Sequence, residues 1–159
     1  KVRDFFHNDN KQMKEIGFYI IKDKFFEIYI FGDEIMKREL GIARCGLACC
    51  LCSENLTCNG CNSGECPDKE WCENRKCSIE KCYTHCYNCN EDCRKGLLSK
   101  IKPYGFTLFA KRYGEKMLLD CLERNEKNGI LYHRDGIVGD YDEFDDVEKL
   151  ILFIKRGKR

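Results

Sequence analysis

Thirteen of the chain's 14 cysteines lie in one segment, from Cys45 to Cys93, and Cys121 is the only one outside it. The segment is 49 residues long, so more than one residue in four is a cysteine. At this density the cross-links between cysteines, rather than a broad apolar core, decide how the segment folds. Such cross-links are either disulfide bonds or metal ions shared by several thiolates.

The spacing of these cysteines favours metal ions over disulfides. Pairs separated by two residues recur in the segment: Cys49 and Cys52, Cys58 and Cys61, and Cys86 and Cys89. In such a loop two thiolates can face one ion while backbone N–H groups turn toward the sulfur atoms, which suits tetrahedral zinc. A disulfide inside the same loop closes a strained ring. We therefore predict metal binding and keep a disulfide scaffold as the alternative.

The overall composition indicates a cytoplasmic protein that does not associate with membranes. Charged residues make up 35% of the chain, and the longest apolar runs are only a few residues long. Such runs are too short for a signal peptide or a membrane-spanning helix. Thiols stay reduced in the cytoplasm, so the expected compartment also favours metal.

Zinc is the metal that the pattern favours, and an iron–sulfur cluster is the alternative. The spacing Cys45-x3-Cys49-x2-Cys52 also holds the cluster of radical S-adenosylmethionine enzymes. Those enzymes need a large barrel after the motif, and only 107 residues follow it here. Many short thiolate pairs are typical of closed structural zinc sites, although a cluster would use four thiolates as well. The number of cysteines predicts two or three zinc ions.

Three further residues have two interpretations each. His85 could replace one sulfur ligand, or it could be a surface imidazole. Cys50 adjoins Cys49, which favours a packed or free thiol over ligation. Cys121 lies on an apolar face at helical spacing, which indicates a buried, inert thiol rather than a catalytic one. No catalytic set of residues is recognisable in the sequence.

The chain is expected to form three consecutive segments, 1–44, 45–93 and 94–159. Residues 18–21 and 25–31 are aromatic and β-branched runs around a short polar turn, which predicts a β-hairpin in the first segment. The last segment is expected to supply short helices that pack on the cysteine-rich centre. The predicted fold class is therefore α+β, with a small metal-stapled centre between the hairpin and the helices.

The apolar pattern after the cysteine-rich segment is mainly helical. Asn128 and Gly129 are expected to close one helix, and Asp145 with Glu148 is expected to cap another. The predicted elements, in chain order, are a short helix that ends at Pro103, helices over 106–113 and 115–127, a strand over 130–133 and a final helix from near Asp145 to Gly157.

A basic stretch follows the cysteines. Residues 94–112 contain six basic and no acidic residues, and Tyr104, Phe106 and Phe109 interleave with them. Charges for phosphates and rings for bases suit single-stranded nucleic acid. One alternative is that lysine stems cover the core. Another is compensation for the segment 45–93, which has eight acids against four bases and gains two negative charges with each four-thiolate zinc centre.

The order of the motifs resembles a known prokaryotic family. The run from Arg44 to Cys49, the loop from Cys58 to Cys61, the run from Trp71 to Cys77 and the motif Cys86-x2-Cys89-x3-Cys93 follow one another. This order is similar to the cysteine-rich family called domain of unknown function 3795. Members often have proline before the last cysteine, where this chain has Asp92.

The resemblance implies a small zinc-binding protein without an assigned activity. The closed thiolate pairs, the lack of a catalytic set and the basic stretch with its aromatic residues predict a structural-zinc module that binds a protein or nucleic-acid partner. The alternative is an enzyme or redox protein that uses an iron–sulfur cluster or a reactive cysteine. Cys50, Cys66 and Cys82 lie outside the resemblance. The metal ligands that it implies are Cys45, Cys49, Cys52, Cys58, Cys61, Cys72, Cys77, Cys86, Cys89 and Cys93.

Overall fold

A computed structural model of the protein divides the chain into two compact units, Lys1–Ile35 and Met36–Arg159. The cysteine-rich segment and the segment that follows it both belong to the second unit. The residues that the structure describes are 17–21, 24–28, 36–53, 55–134, 136 and 138–158.

The first unit contains two short β-strands, β1 Gly17–Ile21 and β2 Lys24–Ile28. They pair in antiparallel register, so that the first residue of β1 is opposite the last residue of β2. Residues 29–31, which were expected to extend the second strand, lie outside the described residues. A ribbon of two strands is marginally stable by itself, so it does not set the fold class of the chain.

The second unit is helical, and the predicted α+β fold class is therefore wrong. Among the described residues of this unit no strand is present. Short 3₁₀ turns occupy much of the cysteine-rich segment. None of the described helices is long and apolar enough to cross a membrane. The α-helices are α1 Glu73–Glu80, α2 Ile101–Tyr113, α3 Glu115–Lys127 and α4 Val147–Arg156.

The predicted strand at 130–133 is a loop between α3 and α4. The Leu131 carbonyl accepts a hydrogen bond from the Asp140 N–H at 2.9 Å, and the Leu131 N–H donates to the Asp140 carboxylate at 2.7 Å. Both backbone groups of Leu131 are thus used within the loop. An apolar run this short does not by itself distinguish a strand from a buried loop.

Pro103 lies in the first turn of α2 and does not end a helix. The helix predicted before it is a 3₁₀ turn, Gly96–Ser99, and the helix predicted after it begins earlier, at Ile101, as part of one helix of 13 residues. The N–H groups of a first helical turn have no partner within the helix, so proline loses no hydrogen bond there. Its fixed φ also suits helical backbone. The sequence prediction was wrong because it treated the proline as a terminator.

The predicted ends of α3 and α4 agree closely with the structure. Helix α3 ends at Lys127, as the sequence predicted. Asp146 caps α4 by accepting a hydrogen bond from the Lys149 N–H at 2.9 Å, one residue after the expected start at Asp145. Gly157 follows the last residue of α4. The capping residues in the sequence therefore predicted where α3 ends and where α4 begins and ends.

The main core of the second unit forms where α2, α3 and α4 meet. Phe106 from α2 is fully buried, and its ring meets the ring of Tyr141 edge to face at 5.2 Å. Ile42 and Cys50 pack in the same hydrophobic cluster. The start of the cysteine-rich segment is therefore anchored on the helices through a shared core.

A buried ion pair fastens the start of α2 to the loop before α4. Lys102 is only 2% exposed, and its ammonium lies 2.6 Å from the carboxylate of Asp142. The same ammonium lies 3.3 Å from the Tyr132 carbonyl and 4.3 Å from the centre of the Tyr132 ring. A buried charge is tolerated when its partners surround it in this way.

We expect the substitution Lys102→Ala to lower the free energy of unfolding by about 3 kcal/mol, because it leaves the partly buried Asp142 carboxylate without its cation and with only the Gly139 N–H as a hydrogen-bond donor among the described residues. Arg112→Ala is the control, since Arg112 pairs with Glu148 at the surface and such pairs are worth less than about 1 kcal/mol. Urea denaturation of both variants measures the difference. Equal, small losses would show that the buried pair does not hold the loop on α2.

Candidate metal centre

The ten cysteines predicted as ligands fall into two groups of four and one pair. All 14 cysteines lie within the described residues, and none of them forms a disulfide bond. The sets are the knuckle group of Cys49, Cys52, Cys58 and Cys61, the cavity group of Cys77, Cys86, Cys89 and Cys93, and the inner pair of Cys45 and Cys72.

The knuckle group joins two Cys-x2-Cys loops that are adjacent in space. The other three thiols of the group lie close enough to Cys49 to raise its pKa. The Cys61 N–H donates a hydrogen bond across the loops to the Cys49 sulfur. Burial raises the pKa of Cys49 to about 11, and the neighbouring thiols add to this rise. A metal cation bound among these thiols would favour the thiolate form. It would therefore lower the pKa that burial and the neighbouring thiols raise.

Gly60 allows the two loops of the knuckle group to approach each other. Its φ is 85°, in the left-handed region that favours glycine. A Cβ at this position would lie 3.8 Å from the Cβ and 3.9 Å from the Sγ of Cys49. These are ordinary van der Waals distances, so the two loops are in contact at Gly60, and its φ rather than a lack of space favours glycine there.

The cavity group lines a cavity of about 350 Å³. Cys77 reaches it from α1, and the other three thiols come from the segment 86–93. The other three thiols of this group lie close enough to Cys86 to raise its pKa, and among these thiols Cys93 raises it most. Burial raises the pKa of Cys86 to about 12, and these neighbours raise it further. The arrangement again brings four thiols from two parts of the chain to one place.

The inner pair connects the two groups. Cys45 is 3% exposed and Cys72 is 7% exposed. The neighbours of Cys45 are Cys72, then Cys61 of the knuckle group and Cys86 of the cavity group. Burial raises the pKa of Cys45 far above its usual range, although the Leu47 N–H donates a hydrogen bond to its sulfur. All ten predicted ligands are thus linked through neighbouring thiols.

The thiols are neighbours, but they do not converge on a point. Within the described part of the chain, no set of three or more Cys, His, Asp or Glu side chains is arranged to hold one ion. Coordination at the usual Zn–S distance of about 2.3 Å therefore requires the thiol side chains to turn toward each other. Many small zinc domains assemble their sites only when the metal binds.

The loop that carries Cys45 is held against α2 and the loop before α4. The Thr107 hydroxyl donates to the Cys45 carbonyl at 3.2 Å, and the Tyr132 hydroxyl accepts from the Ala48 N–H at 3.0 Å. Gly46 has φ 88°, and a Cβ there would collide with Thr107 and the backbone of α2. Sequence analysis missed Thr107 and Tyr132, because they lie far along the chain from the cysteines they support.

Asn74 fixes α1 beside the cavity group. It is 3% exposed, its side-chain amide donates to the Lys95 carbonyl at 3.0 Å, and its oxygen accepts from the Leu97 N–H at 2.8 Å. These bonds hold the segment after Cys93 against the helix that carries Cys77. Asn74 was also missed, since one polar residue in a polar helix gives no sequence signal.

The four other cysteines are not among the predicted ligands, although Cys66 neighbours Cys58 and Cys61 of the knuckle group. Cys50 and Cys121 are buried in the main hydrophobic core, which confirms the packing predicted for them. Cys82 is exposed and has φ 56° just after α1. Burial raises the pKa of Cys50 to about 12 and also raises those of Cys66 and Cys121. Reactive cysteines require the opposite shift.

The basic stretch at 94–112 does not present its aromatic rings to a nucleic acid. At most 8% of any of the three rings is exposed, because they belong to the core. The guanidinium of Arg94 lies 3.2 Å over the ring of Tyr104, and the Lys111 ammonium donates to the Cys89 carbonyl at 2.7 Å. The basic side chains thus cover the core and contact the cavity-group loop.

No family model matches the chain, and no curated protein or solved structure matches it. The resemblance to domain of unknown function 3795 therefore stays a prediction from the order of the motifs. The arrangement of the thiols is the basis for a functional proposal.

Proposed function

We propose that the unit Met36–Arg159 is a zinc-binding module in which the knuckle group and the cavity group each hold one zinc ion. Each group offers four thiols, the number that closes a tetrahedral structural site. The order of the cysteine motifs supports placing the protein with domain of unknown function 3795.

The main observation behind this proposal is that each group brings thiols from separate parts of the chain together. In the knuckle group the Cys61 N–H donates to the sulfur of Cys49, twelve residues earlier in the chain. A neutral thiol is a weak acceptor, whereas a metal-bound thiolate forms a charge-assisted hydrogen bond. The bond is therefore worth more with zinc in place than without it.

The cavity is lined by charges of both signs. Lys81 and Lys95 line it together with Glu73, Glu80 and Glu91, and Lys81 pairs with Glu91 at 2.6 Å. Four thiolates around one zinc ion leave two negative charges. Lys95 would offset part of this charge.

The spare cysteines argue against an enzyme that uses a reactive thiol. Cys50 and Cys121 are buried among apolar side chains, and their pKa values are raised by that burial. Cys66 also has a raised pKa. An iron–sulfur cluster remains the alternative occupant of the same four-thiol groups, and metal analysis separates the two.

We infer that the partner of this module is a protein rather than a nucleic acid. Leu56 is 62% exposed, Trp71 is 60% exposed and Ile79 is 45% exposed, all within the cysteine-rich segment. Tryptophan is prominent among the residues that dominate binding between proteins, and Trp71 is the most exposed aromatic side chain among the described residues. The buried rings of the basic stretch are unsuited to stacking on bases.

Removing two thiols from one group is expected to remove one zinc ion from the protein. Cys58→Ser with Cys61→Ser tests the knuckle group, and Cys86→Ser with Cys89→Ser tests the cavity group. Native mass spectrometry of the reduced protein counts the ions. Cys121→Ser is the control, because it removes a buried thiol outside both groups and should leave the zinc content unchanged. Full zinc content in both double variants would contradict the proposal.

A further inference from the structure

Arg44 comes directly before Cys45, and its side chain reaches the end of α1. Its guanidinium donates to the Tyr83 carbonyl at 2.6 Å and to the Ser78 hydroxyl at 3.3 Å. Its own carbonyl accepts a hydrogen bond from the Cys86 N–H at 2.7 Å. One residue therefore joins the backbone beside the inner pair to α1 and to the turn that begins at Cys86.

The two residues that the guanidinium contacts belong to the wall of the cavity. Ser78 and Tyr83 both line it, together with the four thiols of the cavity group. Ser78 is 3% exposed, and its hydroxyl donates in turn to the Arg75 carbonyl in α1 at 2.9 Å. These contacts hold the positive charge of Arg44 against the wall that the thiols share.

The guanidinium of Arg44 has neutral partners only. Arg44 is half-buried, and within the described part of the chain it donates to a carbonyl and a hydroxyl but to no carboxylate. Its Nε is buried without a hydrogen-bond partner among the same residues. Lys81, in contrast, pairs with Glu91 at 2.6 Å. A cation withdrawn from water is costly without an ionic partner, which points to an anionic group near Arg44.

A zinc ion in the cavity group would supply that negative charge. The cavity is lined by the carboxylates of Glu73, Glu80 and Glu91 and by the ammonium groups of Lys81 and Lys95. Negative groups therefore already outnumber positive ones, and a centre of four thiolates adds two further negative charges. A cation held against the wall would offset part of this excess.

We propose that Arg44 strengthens zinc binding by the cavity group, because its charge offsets the thiolates and its hydrogen bonds hold α1 beside the turn of Cys86. The inference rests on the proposed zinc binding by this group. Arg44 is a positioning residue and not a ligand, since a guanidinium has no lone pair to offer a metal. Removal of a group that supports metal ligands in this way typically weakens metal affinity about 10–100-fold.

The double variant Cys58→Ser with Cys61→Ser removes the knuckle site, so that competition with a chromophoric chelator measures the cavity group alone. In this background Arg44→Met is expected to weaken zinc affinity about 10–100-fold. Arg44→Lys restores the charge and should recover part of the loss. Arg38→Met is the matched control, because Arg38 has a carboxylate partner, Glu123, at 2.9 Å. This control should leave the zinc affinity unchanged.

Unchanged affinity in Arg44→Met would overturn the inference. An equal loss in Arg44→Lys would also overturn it, because the charge would then have no effect. Circular dichroism checks that each variant keeps its helices, which is expected because Arg44 is not part of the main core.

A second measurement keeps the knuckle group intact. Native mass spectrometry at increasing chelator concentration is expected to show that Arg44→Met loses one of its two zinc ions earlier than the wild type does, while the other ion stays as long as in the wild type. Loss of both ions at the wild-type concentrations would refute the role of Arg44 and leave both zinc sites in place. A reduced, folded wild type that holds no zinc would instead refute the proposed function.

Discussion

Removal of zinc from the reduced protein is expected to unfold the cysteine-rich segment. Structural zinc sites contribute about 10–16 kcal/mol of apparent binding free energy, as much as the whole stability of a domain, about 5–15 kcal/mol. Helix α1 shows why the segment depends on metal. Its buried side chains are the polar Asn74 and Ser78, so it lacks an apolar face that would hold it in place.

Hydrogen exchange measured with and without a chelator, under reducing conditions, tests this expectation. Amides of α1 and of the 3₁₀ turns around it should lose protection when zinc is removed. Helices α3 and α4 should keep more protection, because they bury Leu118, Leu122, Leu150 and Ile154 in the main core. Added zinc should restore the original pattern. Unchanged protection of residues 45–93 after confirmed removal of the metal would contradict the account.

Phe106→Ala is expected to cost about 3–5 kcal/mol of unfolding free energy, the usual range for a fully buried phenylalanine. The Phe106 ring is 0% exposed and meets the rings of Tyr141 at 5.2 Å and Tyr132 at 6.2 Å. Its removal would leave a cavity between α2 and the loop that supports the Cys45 motif. The variant should therefore lose stability even when zinc is present in excess.

Urea denaturation at a fixed zinc concentration measures this loss. Leu152→Ala is the control, because Leu152 lies on α4 with 44% of its surface exposed. That substitution is expected to change the unfolding free energy by less than about 1 kcal/mol. A similar, small loss for both variants would mean that the main core does not form around Phe106.

The helices that could be predicted from sequence are those with both an apolar stripe and capping residues. Helix α3 has the expected bounds, and α4 begins within two residues of its expected start. The predictions were wrong where the same kind of residue occurs in more than one kind of structure. Pro103 begins a helix as readily as it follows one. In the run 130–133 Tyr132 is buried while its neighbour Leu131 is 50% exposed, so the apolar run marks a loop with one anchored ring.

The predicted ligands were identified by spacing, but their grouping was not. Spacing relates the two cysteines of one loop, whereas the knuckle and cavity groups each combine thiols from separate parts of the chain. The supporting residues Thr107, Tyr132 and Asn74 act through hydrogen bonds between distant positions. The basic stretch was ambiguous for a related reason, since sequence does not show whether a ring faces solvent or the core.

Metal and sulfide analysis of the protein, combined with its mass under non-reducing conditions, tests the central claim most directly. The protein is produced in medium that contains both iron and zinc. We expect at least two zinc ions per chain, no iron or acid-labile sulfide, and a mass that corresponds to 14 free thiols after the metal is removed. Iron with acid-labile sulfide in place of zinc, or intact disulfides in a protein without metal, would contradict the account.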